Sequence, residues 1–203
     1  MKLDHIAVSG ETLNAATAAV EGALGIRMQP GGQHDMFATH NTLLGLEGGL
    51  YLEAIAIDPA APEPERPRWF DLDRFSGPAR LTNWICATDD MAASLTQLPA
   101  GAGTPVALAR GELRWQMAVP DDGKLPFDNL HPALICWQSP LHPSAMLAAS
   151  GCRLRRLIVS HPDAVSLRAA LHPMLDGKRI VYDTGAAALR AEIDTPHGLR
   201  VLQ

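Results

Sequence analysis

Three stretches of this chain, LDHIAVSGETL at 3–13, LTNWICATDDM at 81–91 and LRRLIVSHPDA at 154–164, follow one grammar: an alternating or apolar run, a polar cap, then the start of a helix. A unit recurring at a period of roughly 75 residues constrains the fold strongly, because each copy is one supersecondary unit that must bury its apolar face against a neighbour. In the first copy Leu3, His5 and Ala7 alternate with Asp4, Ile6 and Val8, which is the period of a strand. Leu13, Ala16, Val20 and Leu24 then recur at helical spacing until Gly25 supplies a stop. Two apolar runs follow at 42–46 and 50–57, with Glu47, Gly48 and Gly49 between them as a hairpin turn. Residues 1–58 therefore read as strand, helix and two or three further strands, a βαβββ module.

Residues 59–80 are rich in proline and charge, the composition of a connector that cannot sit inside a sheet. The grammar restarts over 81–139. A strand at 81–87 leads through Thr88 and Asp89 into a helix carrying Met91, Leu95 and Leu98, then a hairpin of 106–109 with 113–119 and a strand at 133–137. A shorter βαβββ-like module occupies 152–203. Its strands are expected at 157–159, 180–182, 189–193 and 199–202, and its helix bears Leu167 and Leu171. The reading is an α+β chain of repeated modules forming one domain.

Composition narrows the function classes. Apolar residues at 47% and charged residues at 19% suit a globular enzyme. A net charge of -5 argues against duplex nucleic acid as a partner, which needs a clustered basic surface. The one short basic cluster, Arg153, Arg155 and Arg156, reads as a solvated strand edge or an anion site. No apolar run has the length of a membrane span and no export signal is visible, so a cytoplasmic protein without a membrane role is expected. Cys86, Cys136 and Cys152 are odd in number and include no CxxC pair, so reduced thiols are expected. The absence of GxSxG, P-loop and GxGxxG patterns sets aside serine hydrolase and nucleotide chemistry.

His5 lies mid-strand in LDHIAV (3–8) and Glu53 lies in YLEAIAIDP (51–59). If both strands line one concavity, an imidazole and a carboxylate can meet there. These residues, with GGQHDMFATHNTLLGL (31–46), PRWFDLD (67–73), LRWQM (113–117), LPFDNLHPALICW (125–137), GCRLRRLIVSHPD (151–163) and DTPHGLRVL (194–202), carry a likeness over nearly the whole chain. The chain resembles the vicinal oxygen chelate superfamily, which includes glyoxalase I, extradiol dioxygenases and bleomycin-resistance proteins, and within it the glyoxalase-like bacterial branch.

The resemblance implies curved mixed sheets around a cavity, and His5 and Glu53 as metal ligands from the first module. The second module departs from the family pattern. Asn83 stands where His5 stands, and aligning PALICW with GLYLEA puts Cys136 opposite Glu53. Pairing through the C-terminal module would instead put Leu202 there. The cofactor expectation is thus either a divalent ion (Zn, Ni, Fe or Mn) or none. His34, Thr39, His40 and Asn41 form a polar cluster, of which His34, Thr39 and Asn41 are candidate substrate-binding residues. Arg114 is a candidate for a substrate anion, the alternative being a surface arginine beside a core Trp115. Cys136 completes the substrate-binding set.

Two function classes follow. One is a metal-assisted lyase, isomerase or dioxygenase acting on a small oxygen-bearing molecule, with Glu53 as the base. The other is a metal-free protein that sequesters a small molecule, using the polar cluster with Trp84, Trp115 or Trp137. The expected partner is a small-molecule ligand, and a homodimer is compatible with the family's habits of module assembly.

Overall fold

The computed structural model describes residues 1–175 and 177–203. The first segment runs β1 (Lys2–Ser9), α1 (Leu13–Leu24), β2 (Gln29–His34), β3 (Thr39–Leu46) and β4 (Leu50–Ile57). After the connector come β5 (Arg80–Ala87), α2 (Met91–Gln97), β6 (Thr104–Arg110), β7 (Leu113–Val119), β8 (Ala133–Trp137) and the short α3 (Pro143–Met146). The chain closes with β9 (Arg153–His161), α4 (Ala164–Leu171), β10 (Ile180–Thr184), β11 (Ala188–Thr195) and β12 (Gly198–Leu202). Two mixed sheets form among the described residues: one of eight strands, ordered β2-β3-β4-β1-β5-β8-β7-β6 and curled into a half-barrel, and one of four, ordered β10-β9-β11-β12.

Local chemistry explains the elements. Thr12 caps α1 by accepting the Ala15 N–H at 3.1 Å, and Gly25, at φ 71, ends the helix in a left-handed turn. The helix buries Ala16, Val20 and Leu24. The two βαβββ segments join through an antiparallel β1–β5 pair, while β1 lies parallel to β4 and β5 parallel to β8. Paired residues are related by an approximate two-fold, with His5 opposite Ile85 and Ala7 opposite Asn83.

Each face of the large sheet has its own core. The outer face gathers Ile6, Val8, Leu52 and Trp84 with α1 and with Leu154, Leu157 and Ile193 of the small sheet. The concave face gathers Ala7, Ile55, Ile85, Trp115, Met117 and Ile135. Arg153, Arg155 and Arg156 lie on a central strand rather than an edge, and each holds a carboxylate, Glu47, Asp194 and Glu192 respectively, at 2.7–2.8 Å. That pairing leaves no anion site there.

The proline-rich connector stays out of the sheets but does more than connect. Its Trp69, Phe70 and Leu72 are buried in the concave core, where Trp69 stacks on Phe37 at 4.2 Å. Phe70 and Asp71 take left-handed φ values of 61 and 59 to turn these rings inward. The strain is held by a donated bond from Asp71 N–H to Gly123 O at 2.9 Å and one from Asn129 Nδ2 to Phe70 O at 3.1 Å.

Candidate functional site

Strand alternation predicts that Asp4 and His5 point to opposite faces, and the pairing register overturns this for Asp4. Between Leu3, opposite Cys86, and His5, opposite Ile85, Asp4 is an extra residue, a β-bulge. The bulge moves Leu3 to the outer core and lets neighbouring side chains meet, with His5 Nδ1 2.7 Å from Asp4 Oδ1. Both are buried. Asp4 Oδ2 accepts from Trp137 Nε1 at 3.1 Å and from His142 Nε2 at 3.0 Å, so one carboxylate joins β1 to β8 and to the cap of α3. Burial opposes its ionisation. The hydrogen bonds from His142 and His5, with the electrostatic pull of the two rings, outweigh that cost and hold the Asp4 carboxyl well below the usual carboxylate range.

An ionised Asp4 can only accept, so His5 Nδ1–H donates to it and Nε2 faces the cavity. Tyr51 stacks under the imidazole at 4.2 Å. Across the cavity, Glu53 Oε2 lies 3.7 Å from His5 Nε2, too far for a direct hydrogen bond and close enough for both to reach one reacting group. Asn41 Nδ2 donates to Glu53 Oε1 at 2.5 Å and aims the carboxylate. The Asn41 amide is itself oriented, because its Oδ1 accepts from Gly32 N–H at 2.8 Å.

Burial, followed by the charges of Arg110, His40 and His5, pushes His34 down to about 3, so its ring is neutral at ordinary pH. Arg110 can only donate, so His34 Nε2, 3.3 Å from Arg110 Nη1, is the accepting nitrogen, and Nδ1–H donates to Thr39 Oγ1 at 3.0 Å. The opposite wall is apolar, formed by Trp115, Met117, Ile135 and Trp137. The pocket holds only about 30 Å³, the room of a water or two.

The structure brings together four of the sequence-derived candidates: His5, Glu53, His34 and Asn41 line this pocket. Thr39 stands behind His34 as its acceptor. Two candidates are corrected. Arg114 points outward and folds back onto the carbonyls of Gly111 at 2.6 Å and Leu113 at 2.8 Å, while Trp115 takes the inward position. Cys136 is out of phase with Trp137 and Ile135 and packs against the outer core. By register Ala133, opposite Ile85, takes the place that Glu53 holds opposite Ala7. Trp84 likewise faces outward, donating to Leu130 O at 2.8 Å. Asp4, Arg110, His142 and Trp69 are site residues that the sequence reading missed.

The donor set can be tested against a resident metal ion. His5 Nε2 and Glu53 are two ligands of the right type, and no group of three or more His, Cys, Asp or Glu positioned for a metal forms among the described residues. A closed zinc site takes four protein ligands and a catalytic one three. The facing half contributes Ile85, Ala133 and Ile135 instead. Two ligands do not fit such a centre.

A family model described as a glyoxalase-like domain matches residues 3–175. The chain belongs to this glyoxalase-like family. The family places it in the vicinal oxygen chelate superfamily. Among solved structures, a hypothetical protein from Staphylococcus aureus superposes on this glyoxalase-like chain with a TM-score of 0.60 at 15% identity, covering 92% of this chain and 87% of that one. Methylmalonyl-CoA epimerase from Mycobacterium tuberculosis aligns with a TM-score of 0.43 at 18% identity over 71% of this chain and 91% of that one. An Mn(II)-bound glyoxalase from Novosphingobium aromaticivorans aligns with a TM-score of 0.49 at 9% identity over 98% and 80%. No curated protein sequence matches the chain. No helix of the glyoxalase-like domain, among the described residues, is long and apolar enough to cross a membrane.

Proposed function

We propose that this glyoxalase-like protein is a metal-independent proton-transfer enzyme, an isomerase or lyase acting at a carbon next to a carbonyl group of a small molecule. The observation that carries this reading is the buried line of Asp4, His5 and Glu53, with Glu53 Oε2 3.7 Å from His5 Nε2 and aimed by Asn41. In this reading Glu53 takes the proton from carbon. The C–H electron pair moves into the carbonyl, and the oxygen that gains charge accepts a hydrogen bond from the Nε2–H of a doubly protonated His5, whose other N–H Asp4 accepts. In an isomerase Glu53 returns the proton to another carbon or the other face of the enolate, and in a lyase the enolate expels a leaving group from its β carbon, which takes up the proton from Glu53, so atoms and charge balance in both. The apolar wall of Trp115, Met117, Ile135 and Trp137 keeps water away and strengthens each of these interactions.

The test is solvent-deuterium exchange followed by NMR, with a panel of small ketones and 2-oxo acids in the presence of a chelator. The wild type is expected to exchange the acidic C–H of at least one compound, and Glu53→Gln to lose about a thousandfold in rate while remaining folded. Exchange that depends on added metal overturns the metal-independent step. Saturable binding without exchange across the panel favours the second reading, a small-molecule sequestering protein, to which the aromatic wall is equally suited.

A further inference from the structure

We propose that Arg110 is the carboxylate clamp of this site and that the ligand is a carboxylate with an aliphatic tail, held across two connected chambers. The proposal rests on the proton-transfer reading for what happens to the bound head group, and on independent geometry for the binding itself. The inner pocket, at about 30 Å³, is too small for any organic substrate. Next to it lies an outer cavity of about 660 Å³, well within the size range of small-molecule sites. Leu43, Arg110 and Pro143 line both, so these three form the throat between them.

Arg110 crosses that throat because of its neighbours. It ends β6 at a turn where Gly111 takes φ 55, and its stem lies over β2 at Gly32, where a Cβ would come within 2.6 Å of Arg110 Cδ. A side chain at Gly32 would push the arginine stem off that path. At the far end, Nη1 donates to His34 Nε2 at 3.3 Å and to Asn41 Oδ1 at 3.4 Å. Both bonds are long, and both acceptors are uncharged. Among the described residues Arg110 makes no ion pair, whereas Arg68, Arg74, Arg153, Arg155, Arg156 and Arg190 each hold a carboxylate.

A half-buried guanidinium resting on two weak neutral acceptors is the partner that a ligand anion can claim. Asn41, one of those acceptors, also bonds Glu53, so an anion on Arg110 sets its neighbouring carbons beside the base. Asp35 and Glu112 line the outer cavity and disfavour a doubly charged head group, which selects a carboxylate over a phosphate. Leu113, Leu141 and Leu147 offer apolar surface for a tail.

The experiment titrates the full chain with 2-oxohexanoate, 2-hexanone and hexyl phosphate, following the fluorescence of Trp69, Trp115 and Trp137, which line the inner pocket. The oxo acid is expected to bind more tightly than the ketone by about tenfold to a hundredfold. That margin is expected to vanish in Arg110→Gln. It should also shrink in Gly32→Ala, which keeps the charge but obstructs its path. Glu53→Gln should retain the margin while losing exchange. Equal binding of acid and ketone, or an unchanged margin in Arg110→Gln, overturns the clamp and leaves the Glu53 chemistry standing. Preferential binding of hexyl phosphate overturns the choice of carboxylate. A retained margin with full exchange in Glu53→Gln overturns the proton-transfer reading and leaves the clamp standing.

Discussion

His5 and Asn83 occupy the same place in the two halves of the large sheet, each on the strand that joins its βαβββ segment to the other and facing the concavity, and they differ in nearly everything else. His5 is 3% exposed, is held by Asp4 at one ring nitrogen and faces Glu53 with the other. Asn83 is 0% exposed, and among the described residues neither of its amide atoms has a hydrogen-bond partner. The contrast extends outward: Glu53 in one half is matched by Ala133 in the other, and the polar cluster of β2 and β3 faces Trp115 and Met117 on β7. A repeated frame therefore does not carry a repeated site. One half holds the histidines and the carboxylates that face the pocket, and the other, apart from Arg110, walls them with apolar side chains that lower the dielectric around them, which suits a charge-developing step better than a symmetric cage of ligands.

The largest expected effect that sharpens this comparison comes from Asp4→Asn. The variant keeps the shape but loses the charge that orients His5, and the exchange rate should fall about a hundredfold with little change in ligand affinity. The matching change in the other half, Thr82→Val, should leave the rate within about twofold, because Thr82 stands where Asp4 does but among the described residues bonds only Ser9 Oγ and Ala7 O. Equal losses in the two variants, measured as kcat against KM, would break the comparison.

Acid should act on the polar half next. Burial and then the charges of Arg110, His40 and His5 hold His34 at about 3, against 6.5 for a free imidazole, so between these values the unfolded chain binds more protons than the folded one. Stability from this group is complete above about pH 6.5 and is lost as pH falls toward 3, by on the order of a few kcal/mol. His131, pushed down to about 4 by burial, acts in the same direction. Thermal unfolding followed across pH 7 to 4 should therefore show a falling midpoint, with a shallower fall in His34→Gln. An unchanged slope in that variant removes His34 as a source.

Most of the fold was legible because strand and helix periods are local properties. The first strand, α1 with its glycine stop, and both hairpins are where the pattern puts them. What escaped was whatever depends on register. The bulge that brings Asp4 beside His5 arises from pairing with β5, and no pattern within β1 announces it. Aligning apolar runs matches Cys136 to Glu53, and an odd offset in such an alignment turns a side chain to the other face; pairing with β5 assigns that place to Ala133. Arg110 sits at a strand end and looks like a solvated charge. The signal that could have found it was the glycine pair Gly31–Gly32, since consecutive glycines inside a strand mark a place where another group must pass close to the backbone. His142 caps α3 through one ring nitrogen, and its other ring nitrogen reaches Asp4, a contact across the fold that no local pattern shows.

The smallest expected effect tests the silent half directly. An amide buried without partners gives up its hydration and gains nothing in return, so replacing Asn83 by leucine, which has the same branching, should stabilise the protein by about 1–2 kcal/mol despite the larger side chain. For a chain of this length that is a rise of roughly 2–8 °C in the unfolding midpoint, readable by calorimetry, with exchange rate and ligand affinity unchanged. Asn83→Ala separates polarity from volume, since it removes the amide and leaves a space, and should be less stable than Asn83→Leu. A loss of stability in Asn83→Leu together with weakened ligand binding would mean that the amide is bonded to the ligand or to a fixed water. Asn83 would then be a second polar anchor opposite His5, and the two halves would share the work that the present geometry gives to one.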